Sequence, residues 1–188
     1  MTAARRNRIA LAVACGLAGV VPVALFSLYD LVSFQSRRAE IRSLAMQAAL
    51  PAALVAMMRA NYEKNGYSHI TARILIDKLP IAWNHTGAMG WQATYATWTL
   101  LARLHLDERE QFALIAANSY MTHGRFGFAA EAMARFGKPL TSLNDKELAT
   151  LVVLPRSPGM FQEELELLQI RRDRLLEKIQ GNRAPIPQ

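Results

Sequence analysis

A single cysteine in 188 residues excludes an intrachain disulfide and any zinc site built from several thiolates. That residue, Cys15, lies inside an apolar run and says nothing about redox compartment. The 4 histidines, His69, His85, His105 and His123, show no helical pairing with carboxylates. No metal-ligand cluster is expected, and nothing calls for a cofactor. No stretch alternates apolar and polar residues over the length of a strand, which leaves an all-α chain. Zinc-finger, RNA-recognition and basic-zipper patterns are missing, so nucleic acid is not an expected partner despite a net charge of +7. There is no internal repeat. Acidic residues are scarce in the first half: Glu63 stands alone between Glu40 and Asp77.

What is present begins with an uncharged run from Ile9 to Tyr29. As a helix, its 21 residues span about 31 Å, close to the hydrocarbon thickness of a bilayer. Arg5, Arg6 and Arg8 precede it within a basic tail (1–8), and Asp30 ends it. The run is longer than the apolar core of a cleaved signal peptide. A lipoprotein reading at Cys15 fails because too few residues precede it. The expectation is an uncleaved, single-pass N-terminal transmembrane helix over 9–29, followed by a basic linker over 30–42. Arginines flank both ends of the run (Arg37, Arg38 and Arg42 on the far side), so charge does not decide the orientation.

The body of the domain, 43–180, reads as successive helices. Residues 43–62 carry Leu50, Leu54, Met57 and Met58 near one face, with Pro51 as a first-turn residue or a kink. Asn65-Gly66 ends that helix. Ser68 to Leu79 forms the next, and Pro80 breaks it. A loop is expected over Asn84–Gly90, then a helix from Trp91 to Leu104. Asp107, with Glu110 three residues on, caps a helix running to about Tyr120. Met160 to Gln180 reads as a long charged helix with Phe161, Leu165, Leu168, Leu175 and Ile179 as its apolar stripe. Gly181 closes it, and the tail 181–188 is expected to be disordered.

The stretch from Asn118 to Pro158 is the most strongly punctuated. Gly124-Arg125-Phe126-Gly127 is a glycine-bracketed turn. Phe128 to Arg135 is a short helix rich in alanine, stopped by Phe136-Gly137-Lys138-Pro139. Asn144 and Glu147 form a capping box for another helix, with Leu143 and Leu148 placed as a hydrophobic staple. Pro155 and Pro158 end it.

This order resembles a segment of the bacterial peptidoglycan glycosyltransferases, the transglycosylase domains of penicillin-binding proteins and their monofunctional relatives. The likeness rests on Gly124, Gly127, Ala130, Phe136, Gly137, Lys138, Leu143, Glu147, Ala149, Pro155 and Pro158. In looser form it runs from 43 to 178. It implies a lysozyme-like all-α domain on a single transmembrane helix, on the outer face of a bacterial cytoplasmic membrane. Those enzymes polymerise lipid-linked disaccharide diphosphates. The chemistry needs a carboxylate base for the attacking sugar hydroxyl and cations for the departing diphosphate.

The chemical positions match less well. The family's first motif carries the base at the end of a helix, where Glu63 stands in this chain, but Lys64 replaces the neighbouring aspartate. The second motif survives in Gly66, Ser68, Ile70 and Thr71, with Arg73 where a glutamine is expected. The mobile segment that separates the first two motifs is absent, because Glu63 and Ser68 are five residues apart. In the third motif Gln92 replaces a glutamate. In the fourth, Arg109 and Asn118 fit, while Leu114 takes the glutamate position. The fifth survives as Arg171-Arg172, which suits a structural role.

The resemblance therefore implies Glu63 as the candidate catalytic residue, and Ser68, Thr71, Arg73, Arg109, Asn118 and Lys138 as candidate substrate-binding residues. The leading expectation is a degenerate, membrane-anchored glycosyltransferase. It would bind a glycan strand, a lipid-linked disaccharide or a cell-wall synthesis protein without polymerising. One alternative is an active minimal enzyme using Glu63. The other is a structural membrane subunit without ligand, its groove closed by Trp83, Trp91 or Trp98.

Overall fold

A computed structural model of the chain describes residues 20–45, 50–62, 66–80, 87–160 and 164–183. Among them every regular element is helical, and the only β pairing is an isolated bridge between Tyr120 and Phe126. The all-α expectation therefore holds. The chain divides into two units, Met1–Ala39 and Glu40–Gln188.

In the first unit, residues 20–29 are α-helical and lead into a π-helical turn, Asp30–Phe34, and a 3-10 turn, Gln35–Arg37. Val20, Val23, Leu25, Leu28, Leu31 and Val32 are each 59–66% exposed. Residues 9–19 of the predicted anchor lie outside the described residues. Among those described, no helix is long and apolar enough to cross a membrane.

The second unit is built from α1 (Arg38–Ala45, whose first two residues precede the division), α2 (Ala52–Asn61), α3 (Tyr67–Lys78), α4 (Gly87–His105), α5 (Glu108–Asn118), α6 (Phe128–Phe136), α7 (Asp145–Val153) and α8 (Leu165–Arg183). Local chemistry explains most boundaries. Asp107 Oδ1 accepts from the Glu110 amide at 2.7 Å, and Glu110 Oε2 accepts from the Asp107 amide at 3.0 Å. Asn144 and Glu147 make the same reciprocal pair at 3.0 and 2.8 Å. Each box satisfies amide groups that the first turn of a helix leaves without partners. Gly137, at φ 65°, is the left-handed stop of α6.

Three boundaries depart from the sequence expectation. The helix predicted over 43–62 is broken: Pro51 sits at the N-cap of α2 with φ −58°, where its missing N–H costs nothing. The predicted loop Asn84–Gly90 is helical from Gly87 onward, so α4 is longer than expected. And α8 runs through Gly181 to Arg183, because one glycine in a helix costs only about 1 kcal/mol relative to alanine. In its stripe Leu168, Leu175 and Ile179 are buried and Leu165 is 56% exposed; Phe161 lies outside the described residues.

Helix α7 is the centre of the core. All six residues from Leu148 to Val153 are buried, as expected of a helix covered on every side. Helices α2, α6 and α8 pack on it. Leu54, Met57 and Met58 of α2 join Phe112 and Ile115 of α5, Phe128 of α6 and Leu168 of α8 in one apolar cluster. Each such side chain contributes about 1.5–3 kcal/mol of burial free energy. Helix α3 packs on α4 and α5, with Leu75, Trp98 and Leu101 fully buried. This leaves one face of α3 free beside the chain that leaves α5 and α7.

Candidate functional site

The site is shaped by a reversal of the chain after α5. Gly127 N–H donates to Ser119 O at 2.8 Å, Met121 N–H to Arg125 O at 2.9 Å and Arg125 N–H to Thr122 O at 3.1 Å. His123 (φ 51°) and Gly124 (φ 75°) sit at the tip. Two consecutive left-handed residues define a type I′ hairpin turn. At Gly127, φ is 84° and a Cβ would meet the Ala117 carbonyl oxygen at 2.6 Å, so no other residue fits without moving backbone.

One carboxylate holds the hairpin. Glu131 of α6 is 0% exposed. It accepts from Thr122 Oγ1 at 2.7 Å, Arg125 Nε at 2.7 Å and Arg135 Nε at 3.0 Å. Arg125 also donates to Thr122 Oγ1, at 2.9 Å. Burial alone pushes the Glu131 carboxyl up, but the hydrogen bonds from Arg125, Thr122 and Arg135 outweigh it, and the group ends below its ordinary value. The sequence reading saw a small-residue helix here and missed this group. The signal was present in Arg125, Glu131 and Arg135, with the last two at a helical i, i+4 spacing.

So fixed, the hairpin presents Tyr120 and Phe126 side by side, with ring centroids 5.4 Å apart and edge to face. Both line a groove of about 680 Å³, within the size range of small-ligand sites. Its opposite wall is one face of α3: Ile70, Arg73, Ile74, Asp77 and Lys78. Asn118 and Ser119 from the end of α5 also line it, with Pro155, Arg156 and Pro158 from the exit of α7. Lys78 Nζ lies 4.8 Å from the centroid of the Phe126 ring, a cation–π contact. Three cations (Arg73, Lys78, Arg156) face one carboxylate (Asp77) in this lining. Arg73 and Asp77 make no ion pair among the described residues. Ser119 is 4% exposed, and its hydroxyl has no hydrogen-bond partner among the described residues.

The sequence candidates are distributed unevenly around this groove. Arg73 and Asn118 line it together with Pro155 and Pro158. Asn118 Nδ2 also donates to Leu44 O at 3.3 Å and Leu114 O at 3.0 Å, tying the end of α5 to α1. Ser68 and Thr71 are 0% exposed on α3, and neither hydroxyl has a partner among the described residues. Arg109 is exposed in the first turn of α5, about 13 Å along the helix from Asn118. Lys138 is exposed and donates to Glu147 at 2.8 Å. Glu63 and Trp83 lie outside the described residues. Trp98 is 0% exposed in the core, whereas Trp91 is 36% exposed on α4. Leu114 is 0% exposed, and Gln92 is on the exposed side of α4. Sequence reasoning did not single out Ser119, Tyr120 or Arg156, and it read Phe126 only as part of a turn.

Comparison with protein-family models, curated proteins and solved structures finds no match for this chain. The described fold and groove define it as an all-helical protein with a basic cleft, lipped on one side by two aromatic rings.

Proposed function

We propose that this protein is a membrane-anchored, catalytically silent counterpart of the peptidoglycan glycosyltransferases. It holds a lipid-linked disaccharide or a glycan strand in the groove between α3 and the 119–127 hairpin. It sits on the outer face of a bacterial cytoplasmic membrane, with a lysozyme-like domain behind one N-terminal transmembrane helix. The groove carries the proposal: it joins Arg73 and Asn118 to Pro155 and Pro158, all four taken from the resemblance, and adds cations and aromatic rings suited to a phosphorylated sugar. Two further observations support it. The exposed apolar residues from Val20 to Val32 suit a hydrocarbon surrounding better than water. Leu114 packs in the core and Gln92 is neutral, so neither position supplies the carboxylate that polymerisation needs. Loss of a general base alone forfeits about 10²–10⁴ in rate.

The test uses the full chain in neutral detergent micelles. Lipid-linked disaccharide should bind, binding should weaken with added salt, and no glycan polymer should form. Absence of binding at low salt refutes the reading and points to a protein partner or a purely structural role. Polymer formation refutes the silent reading and favours Glu63 as a working base.

A further inference from the structure

Helix α4 is apolar on two opposite faces, and one of them is uncovered. Its inner face, with Thr94, Trp98, Leu101 and Ala102, is buried, and α3 packs along the helix. At about 100° per residue, Met89, Ala93, Ala96, Leu100 and Leu104 fall within about 80° of one another on the opposite side. Met89 is 86% exposed, Leu104 59% and Leu100 45%, and both alanines are exposed. No charged residue occurs from Gly87 to Ala102. A soluble helix keeps one polar face; one that is apolar all round is normally covered all round. An exposed apolar strip of this kind marks an interaction surface. The strip runs about 22 Å along the helix axis.

We propose that the outer face of α4 packs antiparallel on the same face of a second copy of this chain, about a two-fold axis between Ala96 and Thr97. Met89 then faces Leu104 of the second copy, Ala93 faces Leu100, and Ala96 faces Thr97. Each Leu100 enters the space beside a small Ala93, once on either side of the axis, as a self-complementary interface requires. A parallel pair would set Met89 on Met89, alanine on alanine and the two Arg103 side by side. The antiparallel pair holds the two Arg103 about 20 Å apart along the axis, beyond the screening length of about 8 Å.

Charge and shape select a second copy over other occupants. A net charge of +7 suits an acidic protein or anionic lipid, yet the strip is neutral and only Arg103 flanks it. The two alanines at its centre leave a hollow that a leucine of a facing helix fills. Trp91 and Tyr95, the side chains suited to a lipid headgroup boundary, stack instead on the side turned toward His69 of α3. With Gln92, Thr97 and Arg103 as rim, two such strips bury on the order of 1,000 Å², the lower end for specific pairs, so the dimer should be reversible. No groove residue takes part, and the inference is independent of the glycan reading.

The test places single cysteines on the strip of the full chain, with Cys15→Ala in every variant, in neutral micelles under a mild copper oxidant. Ala96→Cys, nearest the axis, brings two thiols within disulfide reach and should give a linked dimer. Met89→Cys and Leu104→Cys should each stay unlinked alone, about 22 Å from their own counterparts, and should link when mixed. Adding Ala93→Leu to Ala96→Cys should cut the linked fraction at least about fivefold, because it fills the space that Leu100 needs. Sedimentation of the unsubstituted chain should show monomer and dimer exchanging with protein concentration. Ala96→Glu sets two carboxylates face to face at an exposed position and should weaken that association at least about tenfold. Self-linking of Met89→Cys as efficient as that of Ala96→Cys overturns the antiparallel pair. A single-copy mass at every concentration overturns the dimer. Linking unchanged by Ala93→Leu, with stronger retention of that variant on anionic vesicles, overturns it in favour of lipid.

Discussion

Replacing Glu131 with glutamine probes what holds the groove in shape. The substitution keeps the volume and one carbonyl oxygen, but it removes the charge and turns an NH₂ group toward arginine donors. Three hydrogen bonds to a 0% exposed carboxylate are at stake, two from guanidinium groups. Breaking a buried charge pair costs about 3–5 kcal/mol when the remaining charge stays buried. Here the arginine side chains are 32% and 25% exposed and recover hydration, which places the cost nearer 3 kcal/mol. At about 3 °C per kcal/mol for a chain of this size, the melting temperature should fall by about 9 °C. The effect should depend on pH with a defined sign. The folded carboxyl titrates below its ordinary value. Its stabilisation is therefore complete above the usual carboxylate range, about pH 4.3, and is lost as pH falls through the lower folded value. The gap in melting temperature between wild type and Glu131→Gln should be constant at neutral pH and close on acidification below that range. Thermal melts followed by far-ultraviolet circular dichroism measure both. A gap near zero at pH 7, or one that does not narrow in acid, refutes the view of Glu131 as an ionised hub.

Gly127→Ala should destabilise by about 3 kcal/mol, combining left-handed strain with a methyl group placed against the Ala117 carbonyl; the same melts measure it, and a loss under 1 kcal/mol contradicts the close approach. Asp107→Ala and Asn144→Ala should each cost about 1 kcal/mol through loss of a helix cap, read from denaturant midpoints at constant slope. Leu114→Glu should leave the chain unable to polymerise glycan and lower its stability by at least about 3 kcal/mol, because it puts an unpaired charge where a leucine is 0% exposed. Any polymer made by that variant would show that the position reaches substrate.

The two capping boxes and the Gly137 stop were legible because their chemistry is local: a side chain reaches an amide three residues away whatever the rest of the chain does. The break at Pro51 was harder, since proline suits the start of a helix as well as a kink. Gly87 and Gly181 punctuate loops in isolation, yet Gly87, at φ 78°, opens a helix here and Gly181 lies inside one. Of the residues that line the groove, only Arg73 and Asn118 were candidates from the sequence. Ser119, Tyr120 and Arg156 were not, because what groups them is the hairpin and the exit of α7 meeting the face of α3. Nothing in their spacing along the chain encodes that meeting. Ser68 and Thr71 sit on the buried side of the helix that presents Arg73, a distinction set by which face meets α4 and α5.

The cluster around α7 also sets a timetable for synthesis. Helix α2 gives its apolar face to α7 and α8, and Lys178 Nζ donates to Ala60 O at 2.7 Å across 118 residues of sequence. At about 5–20 residues per second, α2 leaves the ribosome some 6 to 24 s before that partner has been made. For that interval Leu54, Met57 and Met58 lack the part of their cover that α8 supplies, and until α5 and α7 follow they lack the rest as well. Holding factors that bind nascent hydrophobic segments should meet this chain at α2, and a ribosome stalled before α5 should leave it in their hands.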